Sequence, residues 1–263
     1  ADSAYNFNDW VIRVLHAVSE ASHHSTSVAI VGHYKDDTSY YLSYFPQWKL
    51  DILPSQAGGI SSTAIRNACF ENRLSDVKEM ISANLFLELQ KWMKSDHYKG
   101  LLEEYLFIRN YRKKWENSPY PPTFVTADPV VFALGHVLLI KRKINPGKSK
   151  YALPGGFVKQ TETIEHASLR LLREITCLQL GYKELRGSIK MSHVFDHPTR
   201  DARGRVISHA IMFELHIKEL PEIKAGDDAS EVLWCPLYKL SDFESQFFND
   251  HAQIIKFFVN RMI

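Results

Sequence analysis

Cysteine is scarce in this chain: Cys69, Cys177 and Cys235 are the only three, and they lie far apart. That spacing excludes a disulfide framework and any Cys-x-x-Cys metal pair, so a reducing, cytoplasmic setting is expected. A surplus of one charge is also missing, with 32 Lys+Arg against 30 Asp+Glu and a formal net charge of +2. The balance holds along the chain, with 13 basic and 14 acidic residues over 1–119 and 19 and 16 over 120–263. Neither part carries the positive excess of a dedicated nucleic-acid binder, and no nucleic-acid partner is expected. No apolar run approaches the ~20 residues of a membrane-spanning helix. The opening Ala-Asp-Ser-Ala-Tyr-Asn lacks a basic head leading into an apolar core, so neither a membrane partner nor a leader is expected. Internal repeats and low-complexity segments are absent.

What is present is a chain of 263 residues, 45% of them hydrophobic. At roughly 150 residues per domain this is enough for one large or two modest domains. The chain opens at Ala1 without Met and reaches helical spacing almost at once, at Trp10, Val11, Val14, Leu15 and Val18; a fragment is the expectation. Four consecutive apolar residues ending at Gly32 predict a short buried strand over 27–33, and a helix followed by a buried strand predicts a parallel α/β sheet. Helical spacing returns through Ile65, Ala68 and Cys69, over Val77–Trp92, and over 96–117. Pro119, Pro121 and Pro122 then forbid a helix. The expected division is residues 1–117, a Pro-rich linker over 118–123, and a second domain over 124–263. Beyond the linker, strands are predicted over 124–131, 136–142 and 210–216 around one helix, 163–178, which is an α+β pattern. A last helix is predicted over about 241–262.

Ala152-Leu-Pro-Gly-Gly-Phe157 precedes Glu162 and an amphipathic stretch with Arg170 and Glu174. The string resembles the Nudix box, a run of Gly, Glu, Arg-Glu, Glu-Glu and Gly at fixed spacing, and Gly156, Glu162, Arg170, Leu172, Glu174 and Leu178 fall on it. The resemblance implies a Nudix fold whose helix presents carboxylates to divalent cations, usually magnesium, which neutralise a diphosphate and activate water. On that resemblance Glu162 and Glu174 are the catalytic carboxylates, and together with the Gly155 carbonyl they are the ligands of one weakly held Mg2+. Residues four apart share a helical face, which is how glutamates on adjacent turns share a metal cluster. Here Leu171 and Ile175 stand at two of the glutamate positions and Cys177 at the closing glycine. Leu171 and Ile175 also continue a stripe with Ile164, Ser168 and Leu178, the spacing of an ordinary core-facing helix. Efficient hydrolysis is therefore not expected. Glu162 and Glu165 equally suit the first turn of a helix, where carboxylates meet the positive end of its dipole. Arg170 reads as orienting Glu174 or its neighbours rather than touching substrate.

Lys141-Arg142-Lys143 with Lys148 and Lys150 crowds positive charge before the Gly-Gly turn. The cluster suits a diphosphate, with Arg142 as a substrate-binding residue, or it is solvated surface charge. Downstream, Arg200, Arg203 and Arg205 lie within six residues, in a segment similar to the Arg-Asp-x-Arg-Gly-Arg of Nudix relatives that handle ADP-ribose. They suit bidentate phosphate contacts, or pair with Asp196 and Asp201 in a surface loop. Residues 226–234 match the closing loop and strand of the same fold, with Glu231 a candidate late metal ligand or base.

Ile60-Ser61-Ser62-Thr63-Ala64-Ile65-Arg66 is similar to the Ile-Ser-x-Thr-x-x-Arg motif of nucleotidylyltransferases. Its physical logic is a helix N-terminus whose hydroxyls and N–H groups, with Arg66 one turn on, make an anion site; Ser or Thr there is also an ordinary N-cap. With the 28–33 strand, Lys35-Asp36, Tyr40-Tyr41 and Trp48, the segment resembles the NMN adenylyltransferase domain that is joined to a Nudix domain in bifunctional proteins of NAD metabolism. That resemblance implies an incomplete Rossmann-type α/β domain, substrate binding by Ser61, Ser62, Thr63 and Arg66, and Trp48 near a pyridine ring or buried as structure. The family's Gly-Arg-Phe-x-Pro-x-His-x-Gly-His loop does not occur in the sequence, so adenylyl transfer by this chain is not expected.

The resulting expectation is a nucleotide-binding protein of NAD metabolism, taking ADP-ribose, NMN or ATP, with weak magnesium-dependent hydrolysis. A non-catalytic NAD-metabolite sensor is a second reading, although the 29 residues after Trp234 leave room for one helix rather than a DNA-binding domain. A structural or assembly role is the third, with Phe247, Phe248, Phe257 and Phe258 suited to a homo-oligomer interface as well as to a core.

Overall fold

The computed structural model describes residues 7–24, 27–32, 44–52, 61–226 and 228–262. Lys35, Asp36, Tyr40, Tyr41, Ile60 and Asp227 lie outside them. Two compact units emerge, Asn6–Tyr105 and Leu106–Ile263, with the division falling inside a helix.

In the upstream unit, α1 (Phe7–Ala21) precedes β1 (Ala29–Gly32), which pairs in parallel with β2 (Lys49–Ile52). The parallel pairing agrees with the sequence; the burial does not. Val31 and Ile52 are 62% and 60% exposed, and among the described residues this sheet has two strands, so each is an edge strand. Next come α2 (Ser62–Phe70), a 3-10 turn over Leu74–Met80, α3 (Ala83–Trp92) and the first half of α4 (Asp96–Lys113). The predicted helix over 77–92 is thus divided, since Ile81 adopts an extended conformation and Ser82 caps α3 by accepting a hydrogen bond from the Leu85 N–H. Ala68, Cys69, Leu74, Val77 and Tyr98 form this unit's core, and the Tyr98 hydroxyl donates to the Cys69 carbonyl at 2.8 Å.

The downstream unit is a mixed sheet between helices. β3 (Thr123–Ala133) runs parallel to β8 (Arg205–Leu215) along its whole length; it meets β4 (His136–Arg142) only at the hairpin and β6 (Gly156–Phe157) at its other end. β5 (Tyr151–Ala152) and β9 (Ala229–Pro236) pair with β4, and β7 (Ile189–Phe195) forms the far edge beside β8. Alternation along the strands decides which helix each residue meets. Val131, Leu138, Ile211 and Phe213 face Leu169 and Leu172 of α5 (Ile164–Thr176) and Leu185 of α6 (Tyr182–Gly187). Val130, Phe132, Val137 and Met212 face Ile254, Ile255 and Phe258 of α7 (His251–Val259). Each such aliphatic or aromatic side chain contributes about 1.5–3 kcal/mol of burial.

The predicted helix over 241–262 is a 3-10 stretch, Leu237–Gln246, followed by α7. The break has a packing cause. Phe247 is extended and bridges to Tyr151, Phe248 donates its N–H to the Tyr151 carbonyl at 2.8 Å, and both rings are buried.

Candidate functional site

The box helix begins where its sequence says it should: the Thr163 hydroxyl accepts from the His166 N–H at 3.2 Å. It ends at Cys177, which holds a left-handed φ of 45°, the conformation for which glycine is the natural residue. Beyond it the Lys224 and Gly226 N–H groups satisfy the Thr176 and Ile175 carbonyls, each at 2.9 Å. Gly226 is required here, because a Cβ would stand 1.9 Å from the Glu174 carbonyl oxygen.

On the polar face of α5, Arg170 organises the carboxylates. Its Nη2 and Nε donate to the two Glu162 oxygens at 2.6 and 2.8 Å, and its Nη1 donates to Glu174 Oε2 at 2.7 Å. The Lys159 N–H adds a further bond to Glu162 at 2.8 Å. Hydrogen bonding from Arg170 outweighs burial and holds the Glu162 carboxyl at about 2. Glu165 pairs instead with Arg186 at 2.7 Å, and Glu231 lies 4.0 Å from Lys141. On the opposite face Leu171 and Ile175 pack among Ala127, Ile140, Ala167, Ala229 and Phe248.

These donors do not fit a cluster of divalent cations. Both oxygens of Glu162 are already taken by a guanidinium, and the two neighbouring box positions are hydrocarbon in a packed core. Among the described residues, no group of three or more His, Cys, Asp or Glu could hold a metal ion. Gly155 lies beneath the buried Asp128, whose Oδ1 would be 1.8 Å from a Cβ at that position. Asp128 in turn accepts hydrogen bonds from Thr126 and Ser208.

The arginines occupy three different settings. Arg200 is buried and makes two 2.8 Å bonds to Asp250. Arg205 donates to the Asp196 carbonyl and lies 3.6 Å from its carboxylate. Arg203 holds Asp201 through Nε at 3.0 Å and Nη2 at 2.7 Å, with its guanidinium 4.9 Å from the Phe157 ring centre and 6.0 Å from that of Tyr111. Burial pushes Asp201 up, but Arg203 more than compensates and holds it below the usual carboxylate range. Arg142 stacks at 4.2 Å on Phe248 and donates to the Pro146 carbonyl at 2.7 Å. Burial, and then repulsion from Arg203, pulls Arg142 below the ordinary arginine value despite Asp201, Asp228 and Asp128.

The upstream residues belong to the other compact unit. Ser61 caps α2 by accepting from the Ala64 N–H at 3.4 Å, and Arg66 folds back onto the Ser62 carbonyl and the Thr63 hydroxyl, both at 3.3 Å. Trp48 stacks on Phe45 at 4.7 Å. Asp128, Phe157, Tyr111 and Phe248 escaped the sequence reading as site residues, because nothing local marks them; they are brought together by strand pairing and loop packing.

A helix following a Gly-Gly turn, laid across a mixed sheet and carrying a Glu–Arg–Glu network, is the Nudix arrangement. The NUDIX domain family model matches residues 123–258, and the chain belongs to that family. Both units are similar to the bifunctional NMN adenylyltransferase/ADP ribose pyrophosphatase of Francisella tularensis, whose crystal structure holds AMP and a manganese ion. The TM-score is 0.90 at 32% identity, over 99% of this chain and 77% of that one. The ADP-ribose pyrophosphatase of Methanocaldococcus jannaschii is 42% identical over 132 residues, 50% of this chain and 70% of that protein. An ADPR-responsive transcriptional repressor of Acinetobacter baylyi is 35% identical over 159 residues, 58% of each chain. Among the described residues, no helix is long and apolar enough to cross a membrane.

Proposed function

We propose that the downstream unit binds a nucleotide diphosphate of the ADP-ribose type and cleaves it slowly at most, because the implied cofactor, magnesium, would find only Glu162 and Glu174 left at the box positions, both engaged by Arg170. The observation that carries this reading is the Arg142–Arg203 pair. Arg142 lies 4.2 Å over Phe248 and Arg203 4.9 Å over Phe157, and burial first, then repulsion from Arg203, lowers the Arg142 pKa. A diphosphate bridging the two arginines would relieve the repulsion and supply charge-assisted acceptors. The rings of Phe157 and Phe248 support the two guanidinium groups, Asp201 takes Nε and Nη2 of Arg203, and the Pro146 carbonyl takes Nε of Arg142, so a phosphate would be met by Nη1 of Arg203 and the two Nη groups of Arg142. The names of the relatives point to the same ligand class.

Slow cleavage follows from the box helix. Glu162 and Glu174 are engaged by Arg170, while Leu171 and Ile175 belong to the core. The same observation favours a second reading, a sensor that binds without cleaving. Calorimetric titration of ADP-ribose with and without magnesium, followed by analysis of the same samples for AMP, separates the two. Binding with slow, magnesium-dependent AMP release supports the first reading, and binding without AMP supports the second. No binding contradicts both.

A further inference from the structure

The segment that precedes the Nudix match is tied to the arginine-bearing loop over 196–205. The family match begins at residue 123, yet the last turns of α4 and the turns after it belong to the same compact unit. Three observations join them to residues 196–205. Arg112 donates from Nε to the Ala202 carbonyl at 2.8 Å, across 90 residues of sequence. Tyr111 lies 6.0 Å from the Arg203 guanidinium, on the loop that Arg112 holds. Tyr111 and Trp115 both meet Phe124 edge-on, at 5.8 and 5.5 Å, and Phe124 packs at 5.6 Å on Phe157, the ring beneath Arg203.

We infer that Tyr111 and Arg112 are positioning residues for Arg203, so that the tail of α4 is part of the nucleotide-diphosphate site although it lies outside the Nudix domain proper. The inference rests on the proposed function for its ligand. An arginine side chain on a free loop loses much rotamer freedom on binding an anion, and affinity rises when that loss has already been met in the unbound protein. Here Asp201 holds the guanidinium from one side, Phe157 supports it, and the Arg112–Ala202 bond fixes the backbone one residue before it. Phe157 is also where the loop meets the box, because its carbonyl accepts from Arg170 Nη2 at 3.4 Å. A shift of residues 201–203 would therefore move Arg203 relative to the Glu162–Arg170–Glu174 network.

The test uses the full chain and the variants Arg112→Ala, Arg112→Lys, Arg203→Ala and the Arg112→Ala/Arg203→Ala double variant. Two readouts are taken: the calorimetric Kd for ADP-ribose, and amide hydrogen exchange at Arg203, whose N–H bonds Asp201 Oδ1 at 2.8 Å. Arg112→Ala is expected to weaken ADP-ribose binding about fivefold to tenfold, the effect of losing one ordinary, solvent-exposed hydrogen bond. It should also speed exchange at Arg203 while leaving β4 and β9 amides unchanged, and Arg112→Lys should recover part of both effects. In the Arg203→Ala background the same substitution should change Kd by less than about twofold, the mark of two residues acting through one contact. An Arg112→Ala protein with unchanged Kd overturns the inference, and so does an undiminished effect in the Arg203→Ala background. If the unaltered protein does not bind ADP-ribose, the proposed function fails with the nucleotide half of the inference. The exchange rates then still decide whether Arg112 holds the loop, and unchanged rates overturn that as well.

Discussion

Arg170 grips both carboxylate oxygens of Glu162, at 2.6 and 2.8 Å, and so ties the loop before α5 to the helix two turns further on. The contact lowers Glu162 from 4.5 to about 2. A carboxylate lowered in the folded state contributes stability that is complete above its unfolded value and lost as pH falls through the folded one. The loss should therefore lie between pH 4.5 and about 2. Urea unfolding at pH 5, 4 and 3 should show a steeper decline for the unaltered protein than for Glu162→Gln. Equal slopes for the two proteins would contradict this role for the pair.

Ile175 lies on the face of α5 that packs into the core. It is 3% exposed, with Leu171 beside it at 5%. Placing a carboxylate there buries a charge without a partner, and Ile175→Glu should cost about 3 kcal/mol or more. Urea denaturation at pH 7 measures it. A cost below about 1 kcal/mol would mean that this face opens to water readily and tolerates a carboxylate, which contradicts its assignment to the core.

Cys177 holds a left-handed backbone conformation at φ 45°. An L-residue in that region costs roughly 1–2 kcal/mol, partly offset for glycine by its greater freedom in the unfolded chain. Cys177→Gly should stabilise the protein by up to about 1 kcal/mol and raise the melting temperature by a few degrees. An unchanged or lower melting temperature would show that the side chain contributes more than the backbone conformation costs.

Arg200 and Asp250 are 3% and 5% exposed at their side chains and share two hydrogen bonds. Removing one partner strands a buried charge, so Asp250→Ala should cost about 3–5 kcal/mol. Arg200→Ala should cost a similar amount, and the double variant less than the sum of the two. Strict additivity in thermal or urea unfolding would contradict a direct pair.

Much of the downstream fold could be read from residue spacing alone. The stripe of Ile164, Ser168, Leu171, Ile175 and Leu178 identified α5 and its buried face, and Thr163 its start. Strand β3 was equally plain, although α4 ends at Lys113, before the prolines, and the division into units falls between Tyr105 and Leu106. The end of the chain was not, because Phe247 and Phe248 fit a helical stripe and only their pairing with Tyr151 takes them out of it. Strand β7 was missed, since as an edge strand it exposes Ser192, His193 and Val194 and shows no apolar alternation. For the site, sequence supplied the residue types but not their partners. Arg200, Arg203 and Arg205 look alike within one short segment, yet a residue 50 positions away buries the first, while ring stacking from α4 and β6 holds the second.

The proposed function stands or falls on Arg142 and Arg203 as the diphosphate-binding residues. The most direct measurement is the calorimetric affinity for ADP-ribose of the unaltered protein, Arg142→Ala and Arg203→Ala, in chelator, at low and high salt, with melting temperatures as a check on folding. The expected result is binding by the unaltered protein that weakens with salt, and a loss of roughly tenfold or more for each variant with a shallower salt dependence. Folded variants that bind ADP-ribose as tightly as the unaltered protein, with the same salt dependence, would contradict it.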